Sequence, residues 1–369
     1  SHKNNLNEVA VLYRTNSQSR SIEDQLKRIP LAYNIVGGTK FYDRKEVKDI
    51  LAYIRILVNS HDNVSFDRIV NFPIRGIGKV ALEKMHHYAD ENKVSYYDSL
   101  NDLNNMGLST KQSKELALFY NMMQSYKIRI PNEKGSILTY DILKELKLKE
   151  FYENLGTSEG LDRWSNVEEL ISSITDFEEE NDDNSLIAFL ENVSLLTDID
   201  KWNESQKKVT LMTVHSSKGL EFDYIYIIGL EDGLFPLTRN YIDDDIEEER
   251  RLFYVAITRA KKEVVLSSAK TRRRFGGSPT VSVKSRFLND IPDDVIETSE
   301  IKNKTRNVMN RDDNYLKLNK GTLVEHGVFG AGKIVNIEGV GDNSKLTILF
   351  ANNITKKLIF KYANLKRIK

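Results

Sequence analysis

The sequence predicts an α/β fold in which a parallel sheet domain is interrupted by an all-helical insertion and followed by a linker and a small β tail. Three observations carry this. Near the start, between Glu8 and Val36, an apolar strand, a helix and a second strand follow one another, which is the repeating unit of a parallel sheet. Much later, the apolar runs Val209–Val214 and Tyr224–Ile228 are bulky enough to be buried on both faces, as strands of such a sheet are. Between these two blocks, residues 106–204 show helical patterns only, and beyond Lys320 the pattern becomes one of short β segments separated by Gly or Asn turns.

Length and composition agree with that architecture. The chain has 369 residues, enough for two or three domains, and with 40% hydrophobic and 29% charged residues it has an ordinary soluble composition with a core to bury. It contains no cysteine, which excludes disulfides and thiolate metal sites. No apolar run reaches membrane-spanning length and no secretory leader is visible, so a cytoplasmic location without membrane contact is expected. The 54 Lys and Arg balance the 54 Asp and Glu, so nucleic-acid binding has to be judged from where cations cluster. Ser1-His2 reads as a vector scar ahead of an early strand, and a longer natural protein whose beginning is missing is expected.

In order along the chain, Glu8–Thr15 is the first strand, Ser17–Lys27 the following helix and Ala32–Val36 the next strand, ending at Gly37-Gly38. Tyr13 and Arg14 leave the first strand at its carboxyl end, where ligands bind in open sheets, although most strand-end tyrosines are packing residues. Asp43 and Glu46 resemble a capping box, and Val47, Ile50, Leu51, Ile54 and Leu57 then form one buried helical stripe. In NFPIRGIGKVALEKM, Gly76 and Gly78 make a tight turn before a helix, with Arg75 and Lys79 adding charge. Such a turn is equally readable as a phosphate site or as a plain connection between helices.

Asn101–Gly107 is a polar break. After it, Leu161, Trp164, Val167, Leu170, Ile171 and Ile174 form one amphipathic stripe and Leu186, Ile187, Phe189, Leu190 and Val193 another, while the acidic run Glu178–Asp183 reads as a solvated loop. His215, Ser216, Ser217, Lys218 and Gly219 close the next strand in a polar turn. Carboxylates from Asp243 to Glu249 suit the positive end of a helix that carries Leu252, Phe253, Val255 and Ala256 on its apolar side and ends at Arg259. Arginine's planar fork can clamp a phosphoryl group, but spacing alone describes a surface arginine equally well.

Further on, Lys270, Arg272, Arg273 and Arg274 surround Phe275 at a hairpin tip, a pattern suited to phosphates and an unpaired base. Residues 291–320 form a polar linker, and Thr322–Val324, Lys333–Ile337, Lys345–Phe350 and Thr355–Phe360 are expected to build a small SH3-like or Tudor-like β-barrel. Gly327, Gly332 and Lys333 have P-loop spacing, but Ile334 stands where a magnesium-binding Ser or Thr is needed and β alternation follows where a helix is required.

TVHSSKGLEF and EEERRLFYVAITRA resemble motifs V and VI of superfamily 1 helicases of the PcrA/UvrD type, and AVLYRTNSQSR resembles their motif IV. The resemblance implies a RecA-like sheet domain, called 2A, at 1–105 and 205–290, a helical insertion, 2B, at 106–204 that can swing and touch duplex DNA, a linker at 291–320 and the barrel at 321–369. It implies that Tyr13 stacks on adenine, that Arg14 and Arg259 meet the terminal phosphate, that Glu221 binds the ribose, that His215 and Ser216 touch single-stranded DNA, and that Phe275 meets the duplex end. ATP and Mg2+ would be used by a complete enzyme whose other RecA-like domain, with the P-loop and the metal ligands, is expected to be absent here. This chain alone is then expected to be inactive. RNA polymerase is the partner implied for the barrel. The competing expectation is a non-enzymatic DNA- or polymerase-binding module derived from a helicase.

Overall fold

A computed structural model describes residues 5–29, 31–201, 207–237, 243–273, 277, 280–297, 319–326, 330–339, 344–350, 355–360, 363 and 365–367. The chain divides into two compact units, one of residues 1–27 and 32–288 and one of residues 28–31 and 289–369. The expected linker falls largely on residues 298–318, outside the described residues.

The larger unit is built on five parallel strands, β1 (Val9–Tyr13), β2 (Tyr33–Val36), β3 (Val209–Thr213), β4 (Phe222–Ile227) and β5 (Ala260–Leu266), in the spatial order β2-β3-β1-β4-β5. Its centre is dry because both faces of the central strands carry apolar side chains. Ala10, Leu12, Leu211, Met212, Ile225 and Ile227 are all fully buried. Helix α1 (Ser19–Arg28) follows β1, and the helices α2 (Lys45–Val58), α3 (Asn63–Ile69), α4 (Lys79–Asn92), α5 (Tyr96–Ser99), α6 (Thr110–Arg129), α7 (Gly135–Glu145), α8 (Leu148–Glu153), α9 (Ser158–Glu180) and α10 (Leu186–Lys201) come between β2 and β3. Helix α11 (Asp243–Ile257) precedes β5.

The helices share one continuous hydrophobic core that runs from Phe41 to Val193. Helix α2 is at its centre, packed against α3, α6, α9 and α10, and the stripe expected there is wholly enclosed. The capping box expected at Asp43 and Glu46 does not form. Asp43 ends a 3-10 turn, Arg44 occupies the N-cap position, and the Glu46 carboxylate accepts from Asn166 Nδ2 of α9 at 2.5 Å. The acidic run is a second correction, because α9 continues to Glu180 and Glu178 is buried. Its carboxylate accepts from the Ser136 amide at 2.7 Å and the Ser136 hydroxyl at 2.6 Å, satisfying a free amide at the start of α7.

A short hairpin pairs β6 (Thr271–Arg272) with β7 (Thr280–Val281). In the smaller unit, β8 (Leu323–His326), β9 (Gly330–Glu338), β10 (Lys345–Phe350), β11 (Thr355–Ile359) and β12 (Lys366–Arg367) form an antiparallel sheet in the order β11-β10-β9-β8-β12. Val324, Ile334, Leu346, Ile348 and Phe350 are its apolar core. Lys333 and Ile334 lie inside β9, and a Cβ at Gly332 would collide with Phe350 and Ile348. A packing need explains this glycine.

Candidate nucleotide and nucleic-acid sites

The parallel register sorts the candidate residues onto two opposite edges of the sheet. Arg259 and Glu221 immediately precede β5 and β4, whereas Arg14, His215 and Ser216 follow β1 and β3. The pairings Phe222 with Ala260, Ile227 with Leu266 and Leu12 with Ile227 put about eight residues of strand between the levels of Arg259 and Arg14. At about 3.3 Å per residue that is on the order of 25 Å. The two backbones therefore leave the sheet at different levels, while both side chains reach α11, Arg259 at the Val255 carbonyl and Arg14 at the Glu249 carboxylate.

At the amino edge, the Phe222 amide donates to the Arg259 carbonyl at 3.0 Å, which sets Glu221 and Arg259 side by side on neighbouring strands. The Arg259 guanidinium folds back on the last turn of α11, with Nε donating to the Val255 carbonyl and Nη2 to Thr258 Oγ1, each at 3.1 Å. The carbonyl end of a helix favours a cation there. Arg259 is half-buried and forms no ion pair among the described residues, and Glu221 is exposed. An arginine with donors to spare and no carboxylate beside it can accept an anionic ligand.

At the carboxyl edge the charges are already matched. Arg14 Nε lies 2.8 and 3.0 Å from the two oxygens of Glu249, and Nη2 lies 2.6 Å from Oε1. The Glu249 side chain is only 8% exposed and also accepts from the Leu237 amide at 3.0 Å. Tyr13 is fully buried, and burial together with Glu23 pushes its phenol well above the ordinary range. No face of its ring is open to stack on a base.

The Val214 amide bonds the Tyr13 carbonyl at 2.9 Å, so His215 begins next to Arg14. His215 is on the exposed side of a 3-10 turn, and the protein around it and the Arg14 charge lower its pKa below the usual imidazole range, against Glu249. Ser216 Oγ is 2.9 Å from Thr213 Oγ1, and a Cβ at Gly37, whose φ is +74°, would collide with it. The turn after β2 thus rests on the turn after β3.

The turn at Gly76 and Gly78 gives a divided result. Arg75 points inward: Nη1 donates to the carbonyls of Ile69 and Phe72 at 2.9 Å and of Val70 at 3.2 Å, Nη2 donates to Tyr53 Oη at 2.7 Å, and the guanidinium lies 4.7 Å from the centroid of the Phe119 ring. It donates to the carbonyl end of α3 through Nη1 and to Tyr53 through Nη2, and the residue is partly buried. Gly76, with φ +76°, and Gly78 face open space, Gly78 caps α4 without a side-chain bond, and Lys79 is exposed. Phe275, Arg274 and Gly276 lie outside the described residues.

Two site features escaped the sequence reading. Glu249 is one of seven consecutive residues containing several carboxylates, and only the fold selects it as the partner of Arg14. Glu231 is almost fully buried after β4 and accepts from the Ala269 amide at 2.6 Å and from Arg272 Nη2 at 2.9 Å, so the basic hairpin is rooted in the sheet domain. Among the described residues, no group of acidic and histidine side chains could hold a metal ion, and no helix is long and apolar enough to cross a membrane.

A RecA-like parallel sheet carrying a helical insertion and followed by a small antiparallel sheet is the architecture of a helicase C-terminal region. Residues 1–271 match the family model described as the UvrD-like helicase C-terminal domain, and residues 321–367 match that of the PcrA/UvrD tudor domain. The chain is 37% identical over 392 residues to the ATP-dependent DNA helicase PcrA of Bacillus subtilis, covering 99% of this chain and 53% of that protein. It is 36% identical to the PcrA of Staphylococcus aureus, with 98% of this chain and 52% of that protein covered, and 37% identical to that of Staphylococcus epidermidis, with 96% and 51% covered. The chain belongs to the PcrA/UvrD-type superfamily 1 helicase family as a C-terminal portion, and it spans about half the length of the curated relatives it matches.

Proposed function

We propose that this chain is the second motor half of an ATP-dependent DNA helicase that translocates on single-stranded DNA and unwinds duplex DNA. The observation that carries the reading is the two-edged sheet. Arg259 and Glu221 adjoin at one edge and His215 and Ser216 stand at the other. In this reading a partner RecA-like domain presents ATP and Mg2+ to the first edge, Arg259 meets the terminal phosphate, Glu221 meets the ribose, and the rigid sheet carries the closing movement to a DNA strand at the second. The metal is assigned to the partner domain.

Tyr13 and Arg14 are assigned to adenine and the terminal phosphate, as the family resemblance implies; in this chain Tyr13 is enclosed and Arg14 is paired with Glu249, a pair that nucleotide binding would have to open. Lys79, Gly76 and Gly78 are assigned to a backbone phosphate of duplex DNA, and Phe275 to stacking at the duplex end. The tail is assigned to docking, with RNA polymerase the partner that the family resemblance implies. The test is an ATPase assay of the chain alone and of the chain joined to a P-loop half from a PcrA-type helicase. DNA-stimulated hydrolysis is expected only from the joined form. If the chain alone turns over ATP, the division of labour is wrong, and if the joined form binds DNA without hydrolysing ATP, the chain is a binding module.

A further inference from the structure

Two adjacent arginines at the root of the basic hairpin are held in different ways. Arg272 grips Glu231, whose side chain is 3% exposed and which also holds the Ala269 amide. Removing Arg272 would leave the enclosed Glu231 carboxylate without its cation, so this contact is part of the framework. Arg273 reaches away from the sheet to α9, where Nη2 lies 2.7 Å from Glu179 Oε2 and Nη1 lies 3.9 Å from Asp176 Oδ1. Glu179 and Asp176 are 52% and 42% exposed, and Asp176 also accepts from Arg20 Nη2 at 2.9 Å. Pairs this open to water contribute little and exchange easily. Arg273 Nη1 is buried and makes no hydrogen bond. The fork thus has one nitrogen bound and one enclosed beside Asp176 without a hydrogen bond, in a side chain 18% exposed, so a ligand reaches it only as the contact with α9 opens.

We propose that Arg273 is an exchangeable phosphate site: without DNA it is strapped to Glu179 of α9, and a DNA backbone phosphate at the hairpin takes the place of that carboxylate and releases the end of α9. A phosphate offers the bidentate geometry that the two carboxylates supply only in part, and it satisfies Nη1. Engagement of a strand at the hairpin and release of α9 are then one event. The inference rests on the proposed DNA-binding function and adds a competition within it.

The experiment measures binding of the chain to a duplex with a single-stranded tail, by fluorescence anisotropy across a salt series. Glu179→Gln should tighten binding severalfold. Arg273→Gln should weaken it and reduce the salt slope by about 0.7 to 0.9, the loss of one phosphate contact. In the double variant the gain from Glu179→Gln should vanish. The swap of Arg273→Glu with Glu179→Arg keeps the strap and should fold as the parent does while binding like Arg273→Gln. Hydrogen exchange at the end of α9 should rise when DNA is added. A Glu179→Gln variant that binds like the parent, a gain that persists with Arg273→Gln, or α9 exchange unchanged by DNA would each overturn the exchange site and leave the DNA-binding reading standing. A parent chain that binds no DNA removes both.

Discussion

The Phe222 amide donates to the Arg259 carbonyl at 3.0 Å, so the residue expected to meet the ribose, Glu221, and the one expected to meet the terminal phosphate are held by adjacent strands. One backbone bond sets their spacing before any ligand arrives. Preorganisation of this kind is what makes an arginine effective against charge that develops during phosphoryl transfer.

The first prediction concerns Arg259 in the chain joined to a P-loop half. Arg259→Ala should lower DNA-stimulated hydrolysis by roughly three to five powers of ten while leaving DNA affinity within about twofold, because arginines that stabilise transferring phosphoryl groups carry effects of that size. Arg14→Ala should lower hydrolysis as well, since Arg14 too is assigned to the terminal phosphate. Hydrolysis at the parent rate in either variant, measured at one salt concentration, would contradict the assignment of that arginine.

The levels at which Arg14 and Arg259 leave the sheet were not read from the sequence, because the strand Ala260–Leu266, with charged residues at Lys261, Lys262 and Glu263, lacks the apolar run that marks a buried strand. The other strands, the α2 stripe and the β tail were readable because periodicity reports burial directly. The partners of charged residues were not. Arg75 and Lys79 look alike in sequence beside a Gly turn, yet one is bonded to carbonyls and the other is in water. Glu178 and Glu179, in a run that reads as solvated, are tied to α7 and to the hairpin through contacts 42 and 94 residues away in sequence.

The second prediction separates Arg75 from Lys79. Arg75→Ala should destabilise the chain by about 2 to 3 kcal/mol, because the carbonyls at the end of α3 lose a charged donor without gaining water. Lys79→Ala should change stability by less than about 0.5 kcal/mol and reduce the salt slope of duplex binding by about 0.9, one phosphate contact. Denaturant titrations and salt-dependent binding together decide this. A stable Arg75→Ala variant with weakened DNA binding would restore the phosphate role to Arg75.

The tail supplies the third prediction. Its core of Val324, Ile334, Leu346, Ile348 and Phe350 is drawn wholly from its own strands. Limited proteolysis should therefore yield a resistant fragment beginning near Lys320, and that fragment should unfold cooperatively by itself. Degradation of the tail along with the polar segment before it would argue against an independent fold.

The last prediction follows His215, whose pKa is lowered from 6.5 by its surroundings and by Arg14, and raised in part by Glu249. A folded pKa below the unfolded one means that the unfolded chain takes up the proton first as pH falls. The stability contribution is therefore present above about pH 6.5 and is lost as the pH drops from there through the folded pKa. In an NMR titration His215, assigned by comparison with His215→Gln, should have its midpoint below the ordinary value. Arg14→Gln should raise that midpoint, because it removes the repelling cation and leaves Glu249 in place, and Glu249→Gln should lower it further. Single-stranded DNA should raise it as well, since a phosphate near the ring favours the imidazolium. Sign is the discriminating readout. An increase on adding DNA that persists in Arg14→Gln locates the strand at the turn after β3, and a midpoint that ignores DNA in the parent removes His215 from the DNA site.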